Sequence, residues 1–368
     1  METTQSLNEF LHKVLIYSKN KYRRYRVNKV KKIRNGLPVN IDQRIINQVC
    51  KDHFHSEILS SKYQKMSGWK RTGTYRLFIT LRNNQRKQLI YRHCSYNYDD
   101  FPALKGYPVT LGPVEFVIGN VNNESINNFL PTTLWSNHDK DDVYRYITED
   151  LTIRNYKARL ALDESIVYHL LSLNEALNNS NLDKKVFPEY DMAYSQNLID
   201  YISGLWEKSW DTKYNLSYQK LNSISDVYLE IASHDRRTGL IHGDFNESNI
   251  LFKYKKGRYS LKVVDWEWAG VGTIHSDLAA YFRSANHPHL NASLKELAKL
   301  LPWESYEYHY KWMYWALMDR AFLDLTYMIA QREKALKYST FNIDRFINES
   351  AMDLSEAHSK IQHVFNLV

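Results

Sequence analysis

The sequence predicts an α+β fold, with a β-rich first part and a mainly helical second part. Three observations carry this prediction. Strand-like runs separated by turn residues fall before about residue 150. Beyond that point apolar residues recur at helical spacing over 161–178, 191–209, 216–233, 291–301, 304–336 and 342–364. One short β island, Ile250–Phe252 and Tyr259–Val264 turned by Lys256-Gly257, interrupts the helical half. The 368 residues are 43% apolar and 24% charged, which excludes a disordered chain and is ample for a large core. No run of about 18 apolar residues is present, so no transmembrane helix is expected. The start, METTQSLNEF, lacks a basic region leading into an apolar one, so no secretory signal is expected. Two cysteines, Cys50 and Cys94, exclude a disulfide framework or a Cys-rich metal site. These features together point to the cytoplasm.

Residues 1–55 read as a basic extension. Leu7, Phe10, Leu11, Val14 and Leu15 form one helical apolar face, and Ser6 with Glu9 has the spacing of a capping box. The run Lys19–Arg34, KNKYRRYRVNKVKKIR, follows with nine basic residues and no acid. Residues 1–138 carry 22 basic and 9 acidic residues, whereas 139–368 carry 27 and 32. An amphipathic helix beside such a cluster suits an anionic membrane surface, here a peripheral contact through 1–34 at the inner face. A helix packed on its own domain is the plainer reading. No aromatic RNA-binding strand, zinc-finger spacing or basic heptad is present, so no specific nucleic acid is expected.

The next part, 56–150, holds the strands. Thr74–Leu81 and Gln88–Arg92 form a hairpin around Asn83-Asn84, with a loop longer than two residues. Leu111–Phe129 reads as a helix with Val114, Val117, Ile118 and Val121 on one side. Thr132–Trp135 and Val143–Thr148 read as two further strands. The boundary to the third part, 151–368, falls near Glu149-Asp150-Leu151.

Chemistry concentrates in Leu240–Phe252, which contains HGDFNESN, and in VVDWE at 263–267. Asp244 sits in a loop after an apolar stretch, five residues before Asn249, and Asp265 ends the next strand of the same hairpin. Folding that hairpin sets Asn249 beside Asp265 with Asp244 facing them. One amide and one carboxylate oxygen suit Mg²⁺, which takes its remaining ligands from phosphates and water. The other carboxylate is then placed to orient a hydroxyl and accept its proton during phosphoryl transfer.

These two segments resemble the signature of the aminoglycoside phosphotransferase/choline kinase family, His-Gly-Asp, four variable residues and Asn, followed by a strand-ending Asp. The resemblance implies a protein-kinase-like fold with a β-rich nucleotide-binding N-lobe (56–150) and a mainly helical C-lobe (151–368). It implies an enzyme that moves a phosphoryl group from ATP, with Mg²⁺, to an alcohol. By the same resemblance Asp244 is the catalytic base, Asn249 and Asp265 are metal ligands, and Asp277 and His242 have structural roles at the active site. Upstream, the ATP-binding landmarks fall on Gly68, Thr72 and Gly73 of SGWKRTGTYRL for the phosphate loop. They continue with Arg92 for the strand cation, with Lys87 as the alternative, Glu115 for the helix acid, and Glu149 and Leu151 at the hinge. Arg92 departs from the Lys of the pattern, being bulkier and forked.

The acceptor is less defined. Trp266-Glu267-Trp268 and the aromatic stretch from Trp303 to Trp315, followed by Asp319 and Asp324, suit a cationic ligand, with Glu267, Trp268, Trp312, Trp315 and Asp319 as candidate contacts. At helical spacing the same aromatics equally suit core packing. An aminoglycoside-like antibiotic or a choline-like amino alcohol fits the acid-rich second half, and a sugar fits the aromatic faces. A lipid-linked or lipopolysaccharide glycan fits the basic front. A nucleotide-binding pseudokinase or scaffold is the alternative from another class.

Overall fold

A computed structural model describes residues 32–39, 41–67, 73–95, 117–119, 121, 123–138, 143–154, 156–158, 166–206, 210–255, 258–338 and 343–365. The predicted features at 7–15, 19–31, Gly68, Thr72, 111–116 with Glu115, and the Lys256-Gly257 turn lie outside the described residues. The chain forms two compact units, Met1–Trp69 with Gly73–Leu89, and Lys70–Thr72 with Ile90–Val368.

The smaller unit contains β1 (Arg34–Asn35), α1 (Gln43–Phe54), β2 (Ile58–Ser67), β3 (Gly73–Leu81) and the start of β4 (Arg86–Ser95). Asp42 caps α1 by accepting the Arg44 N–H at 2.8 Å, and Ile46, Val49 and Cys50 are buried on one face. The helix stops where His55 turns left-handed at φ 53° and its N–H donates to Lys51 O at 3.1 Å. Burial pushes the Cys50 thiol up to about 11. Antiparallel pairing sets Lys62 of β2 against Phe78 of β3. Gly73, Leu77, Ile79 and Leu81 form the buried face of β3. Residues 82–85 make the turn, with Asn84 at φ 63° and its N–H bonded to Leu81 O at 2.9 Å. Lys87, on β4, places Nζ 4.7 Å above the Phe54 ring of α1. Neither α1 nor β2 is foreseen by the pattern above, because β2 (ILSSKYQKMS) is largely polar and α1 carries few apolar residues.

The larger unit begins within β4 and continues through α2 (Glu124–Asn127), β5 (Thr133–His138), β6 (Val143–Glu149) and β7 (Lys157–Ala158). Asn123 accepts the Ser125 N–H at 3.0 Å and so starts α2 afresh, which breaks the helix expected over Leu111–Phe129. β5 and β6 pair antiparallel, Ser136 opposite Tyr146. Helices α3 (Ile166–Asn178), α4 (Met192–Leu205), α5 (Trp210–Lys213) and α6 (Tyr218–Ala232) follow. Leu170, Leu173 and Leu177 of α3, and Leu221, Ile224, Tyr228 and Ile231 of α6, repeat at three and four residues and are buried. Then come β8 (Gly239–Ile241), β9 (Ile250–Lys255), β10 (Arg258–Val263), β11 (Gly270–Gly272), α7 (Ile274–Phe282), α8 (Leu290–Leu300), α9 (Tyr306–Tyr338) and α10 (Ile343–Phe365). β9 and β10 are the predicted hairpin, with Val263 opposite Ile250, and β7 joins the β9 edge. β8 pairs with β11, so the chain on either side of the hairpin is drawn together. The 33-residue α9 packs against α10, α7 and α4 and forms the centre of the helical core. Among the described residues no helix is long and apolar enough to cross a membrane.

Candidate active site

The HGDFNESN loop leaves β8 and enters β9. Its shape is imposed by buried polar anchors. Asp277, on the first turn of α7 and 1% exposed, accepts the His242 N–H at 2.9 Å and the Gly243 N–H at 2.7 Å. Burial pushes this carboxyl up to about 7, against the pull of the two N–H donors. The fully buried His242 ring lies 3.1 Å from Val264 O through Nε2, while Nδ1 is 3.2 Å from the Asp244 N. A carbonyl only accepts and an amide N–H only donates, so Nε2 carries the proton and Nδ1 is the acceptor. Burial lowers the His242 pKa, which keeps that neutral tautomer. The ring thereby ties the loop to the strand end that carries Asp265.

Gly243 has φ +77°, and a Cβ built on it would fall 1.9 Å from Trp268 O. Only glycine fits there. The Trp268 carbonyl is also held by the Tyr190 hydroxyl at 2.5 Å.

Asp244 and Asn249 are joined directly. Asn249 Nδ2 donates to Asp244 O at 3.0 Å and to Asp244 Oδ2 at 2.9 Å. The Val264 N–H donates to Asn249 O at 2.9 Å, which carries the loop into the β9–β10 pairing and sets Asn249 next to the Asp265 strand end. Asp265 is left-handed at φ 70°, an uncommon state for a residue with a Cβ, and its carboxyl faces Arg92. Arg92 of β4 spreads its guanidinium over two acids, Nη1 on Asp265 Oδ1 and Nη2 on Glu267 Oε2 at 2.7 Å. Its side chain is only 11% exposed. The strand cation of the sequence reading is thus beside the candidate metal ligand, whereas Lys87 belongs to the smaller unit and covers Phe54.

The other oxygen of Asp244 meets residues that sequence reasoning missed. Arg320 Nη1, from α9, lies 3.0 Å from Asp244 Oδ1, and Arg283 Nη2, just past α7, lies 4.0 Å from it. Burial opposes the charge on Arg320, but the carboxylates of Asp324 and Asp244 outweigh it and hold its pKa above the ordinary value. Arg320 Nε is 3.4 Å from Asp324 Oδ1. Nothing local marks either arginine, since each reads as an ordinary polar residue of a helix or its end. Glu247, inside the loop, has its carboxyl pushed up to about 7 by burial, with Arg283 pulling it down.

The remaining predicted residues fall as follows. Gly73 opens β3. Glu149 is buried at the end of β6, and its Oε1 accepts the Thr132 N–H at 3.0 Å and the Thr132 hydroxyl at 2.9 Å. Leu151, 4% exposed, begins a 3₁₀ turn that Asp150 caps by accepting the Thr152 N–H at 3.0 Å. Trp312 and Trp315 of α9 are each 1% exposed and lie in the core. The Trp315 ring stacks on Tyr228 at 5.5 Å and 3°. Asp319 is buried, accepts the Tyr228 hydroxyl at 2.5 Å, and is pushed up to about 6 by burial. Trp268 packs partly buried against the same core.

Among the described residues no group of three His, Cys, Asp or Glu converges as a metal site. The pair Asn249–Asp265 supplies one amide and one carboxylate oxygen. With Nδ2 committed to Asp244, the Asn249 Oδ1 remains as the donor atom. That oxygen-only pair fits a small hard cation that keeps water and phosphate in its shell.

Residues 200–308 match the phosphotransferase enzyme family. No curated protein matches the chain in sequence. Several solved structures share its fold at low identity. Choline kinase from Cryptosporidium parvum Iowa II is 11% identical, over 89% of this chain and 98% of its own, with a TM-score of 0.52. A gentamicin complex of APH(2")-IIa is 14% identical, over 88% and 100%, at 0.51. Spectinomycin phosphotransferase APH(9)-Ia, in complex with ADP and spectinomycin, is 8% identical, over 86% and 99%, at 0.51. The chain therefore shares the α+β fold of these kinases and phosphotransferases, and the segment that resembles the family contains both motifs on which the sequence reading rests.

Proposed function

We propose that this chain transfers the γ-phosphoryl group of ATP to a hydroxyl of a small molecule or glycan, with Asp244 as the base. The carrying observation is the carboxylate of Asp244 fixed by Asn249 through Oδ2, in a loop that Asp277 and His242 hold rigid. A base that must meet a hydroxyl in one orientation gains rate from such fixing, because the geometry is set before reaction. Asn249 and Asp265 would hold Mg²⁺, which when bound offsets charge on the phosphate oxygens. Arg92 lies against Asp265 and orients that carboxylate while adding a second positive charge for the phosphates. Asp244 accepts the hydroxyl proton as the acceptor oxygen bonds to phosphorus and the bond to the ADP oxygen breaks. The ADP-bearing neighbour, the spectinomycin phosphotransferase, supports a nucleotide donor.

The acceptor classes read from the sequence remain aminoglycoside-like compounds, choline-like amino alcohols and sugars, with a lipid-linked or lipopolysaccharide glycan beside them. The test is ADP release with Mg·ATP over such a panel, with product mass read in parallel. Asp244→Asn should lower turnover by roughly 10²–10⁴-fold. An unchanged rate in that variant would sink the assignment of the base. A mass gain other than one phosphoryl group would sink the reaction type.

A further inference from the structure

Asp265 and Glu267 stand on either side of the buried Trp266 and share one guanidinium, that of Arg92. The 3₁₀ turn Trp266–Trp268 that carries Glu267 is held at both ends. The Trp266 indole N–H donates to Val263 O at 3.0 Å, the Ala269 N–H donates to Trp266 O at 3.0 Å, and the Tyr190 hydroxyl donates to Trp268 O at 2.5 Å. Asp265 occupies the cap position of this turn, yet its carboxyl makes no capping hydrogen bond. Instead Asp265 Oδ1 meets Arg92 Nη1, while Nη2 of the same guanidinium donates to Glu267 Oε2 at 2.7 Å. The Asp265 side chain is 41% exposed, against 18% for Glu267.

A guanidinium beside a single carboxylate commonly takes both of its oxygens in a parallel fork. Here the fork is divided between two acids. Nη2 goes to Glu267, so Asp265 meets Arg92 through one oxygen, and Oδ2 stays outside that pair. The division also sets the charge. One guanidinium against one carboxylate would neutralise a metal ligand, whereas one against two leaves a negative charge over, which attracts a cation. A lysine at position 92 would pose no such conflict, because its ammonium is a point charge with no fork to span two oxygens. The second acid is therefore what an arginine at this place requires.

We infer that Glu267 is a positioning residue for the metal: it holds Arg92 to Oδ1 of Asp265 and so keeps Oδ2 as a donor for Mg²⁺. This inference rests on the phosphotransferase reading, and it assigns Glu267 to the nucleotide and metal side of the site rather than to the acceptor.

The test titrates the full chain with Mn²⁺ in the presence of ADP and follows loss of the free-ion EPR signal, with thermal unfolding of each variant alongside. Glu267→Ala should weaken Mn²⁺ binding roughly 10–100-fold, as loss of a partner that orients a ligand does. Glu267→Gln keeps an oxygen for Nη2 but no charge, and should show a smaller, measurable loss. Adding Arg92→Lys to Glu267→Ala should return the affinity to that of Arg92→Lys alone, because the lysine cannot close over both oxygens of Asp265. The inference is overturned by an unchanged affinity in Glu267→Ala, by equal losses in the Ala and Gln variants, which charge alone explains, or by no recovery in the double variant, which makes Glu267 itself a ligand. If Glu267→Ala does not fold, Glu267→Gln with and without Arg92→Lys decides by the same recovery, and a Gln variant with no loss, or with one that persists, overturns the inference. Each of these outcomes leaves the phosphotransferase reading standing. That reading fails by itself where Asp244→Asn releases ADP as fast as the unaltered chain over the acceptor panel, and an unaltered chain that takes up no Mn²⁺ with ADP overturns both.

Discussion

Replacing Gly243 by alanine tests the architecture of the loop most directly. The new Cβ would sit 1.9 Å from Trp268 O and 2.7 Å from its carbonyl carbon, where real contacts stay beyond 3.0 Å. Backbone must therefore move by about 1 Å, and the obstructing carbonyl is itself held by the Tyr190 hydroxyl. The left-handed φ of +77° adds about 1–2 kcal/mol for a residue with a Cβ. Overpacking adds roughly 1–3 kcal/mol, so a loss of about 2–5 kcal/mol is expected. The displaced residue is next to Asp244, and a misplacement of about 1 Å at a reacting group costs on the order of 10²-fold in rate. Urea unfolding followed by tryptophan fluorescence gives the stability, and ADP release gives the rate. Gly204→Ala is the control, because its Cβ meets nothing within 4 Å at the end of α4, and it should be neutral or stabilising. A Gly243→Ala protein with unchanged stability and full turnover would refute the reasoning.

Asp277→Asn should cost about 1–3 kcal/mol, since one of the two acceptor oxygens becomes an N–H facing an N–H. Because burial raises the Asp277 carboxyl to about 7, its protonated form contributes stability below the unfolded value and loses it as pH rises through 7. The Asn variant should show a flatter stability profile from about pH 4 to 7, read by urea midpoints. Tyr228→Phe removes the hydroxyl that meets Asp319 at 2.5 Å and Ser195 Oγ at 2.9 Å, and should cost about 1.5–3 kcal/mol in the same assay. An unchanged midpoint would show that Asp319 does not need that donor. Burial, with His309 alongside, lowers His275 to about 3, so the neutral ring stabilises above its unfolded value and that stability is lost as pH falls from about 6.5 toward 3. His275→Asn should lower the acid slope by at most about 1.4 kcal/mol per pH unit, and an identical slope would assign the acid loss to other groups.

The HGDFNESN loop was legible because its polar residues lie close together in sequence. Asp244 and Asn249 are five residues apart, and the hairpin that adds Asp265 is marked by two short apolar runs. The long helices were legible through their period, and α3, α4, α6, α8, α9 and α10 follow the expected windows closely. Arg320 and Arg283 were not legible, because their meeting with Asp244 depends on how α9 and the end of α7 pack, and a helix-borne arginine has no sequence pattern of its own. The aromatic run on α9 illustrates the converse. Its composition suggested a ligand, but only packing reveals that Trp312 and Trp315 face the interior while Arg236 covers them. β2 escaped notice because strand pairing, rather than side-chain alternation, holds its polar sequence in place.

The carboxylate of Asp244, the proposed base, is approached from two stretches of chain with different kinds of tolerance to change. Its Oδ2 side belongs to a short loop in which a glycine without room for a methyl group, a buried acid and a buried imidazole leave almost no freedom. Its Oδ1 side belongs to Arg320, one position on the 33-residue α9. A helix can exchange single side chains while its backbone stays put. Under the proposed function, substitutions along α9 would alter what surrounds the Oδ1 side of Asp244 while the loop that fixes its Oδ2 side is left as it is.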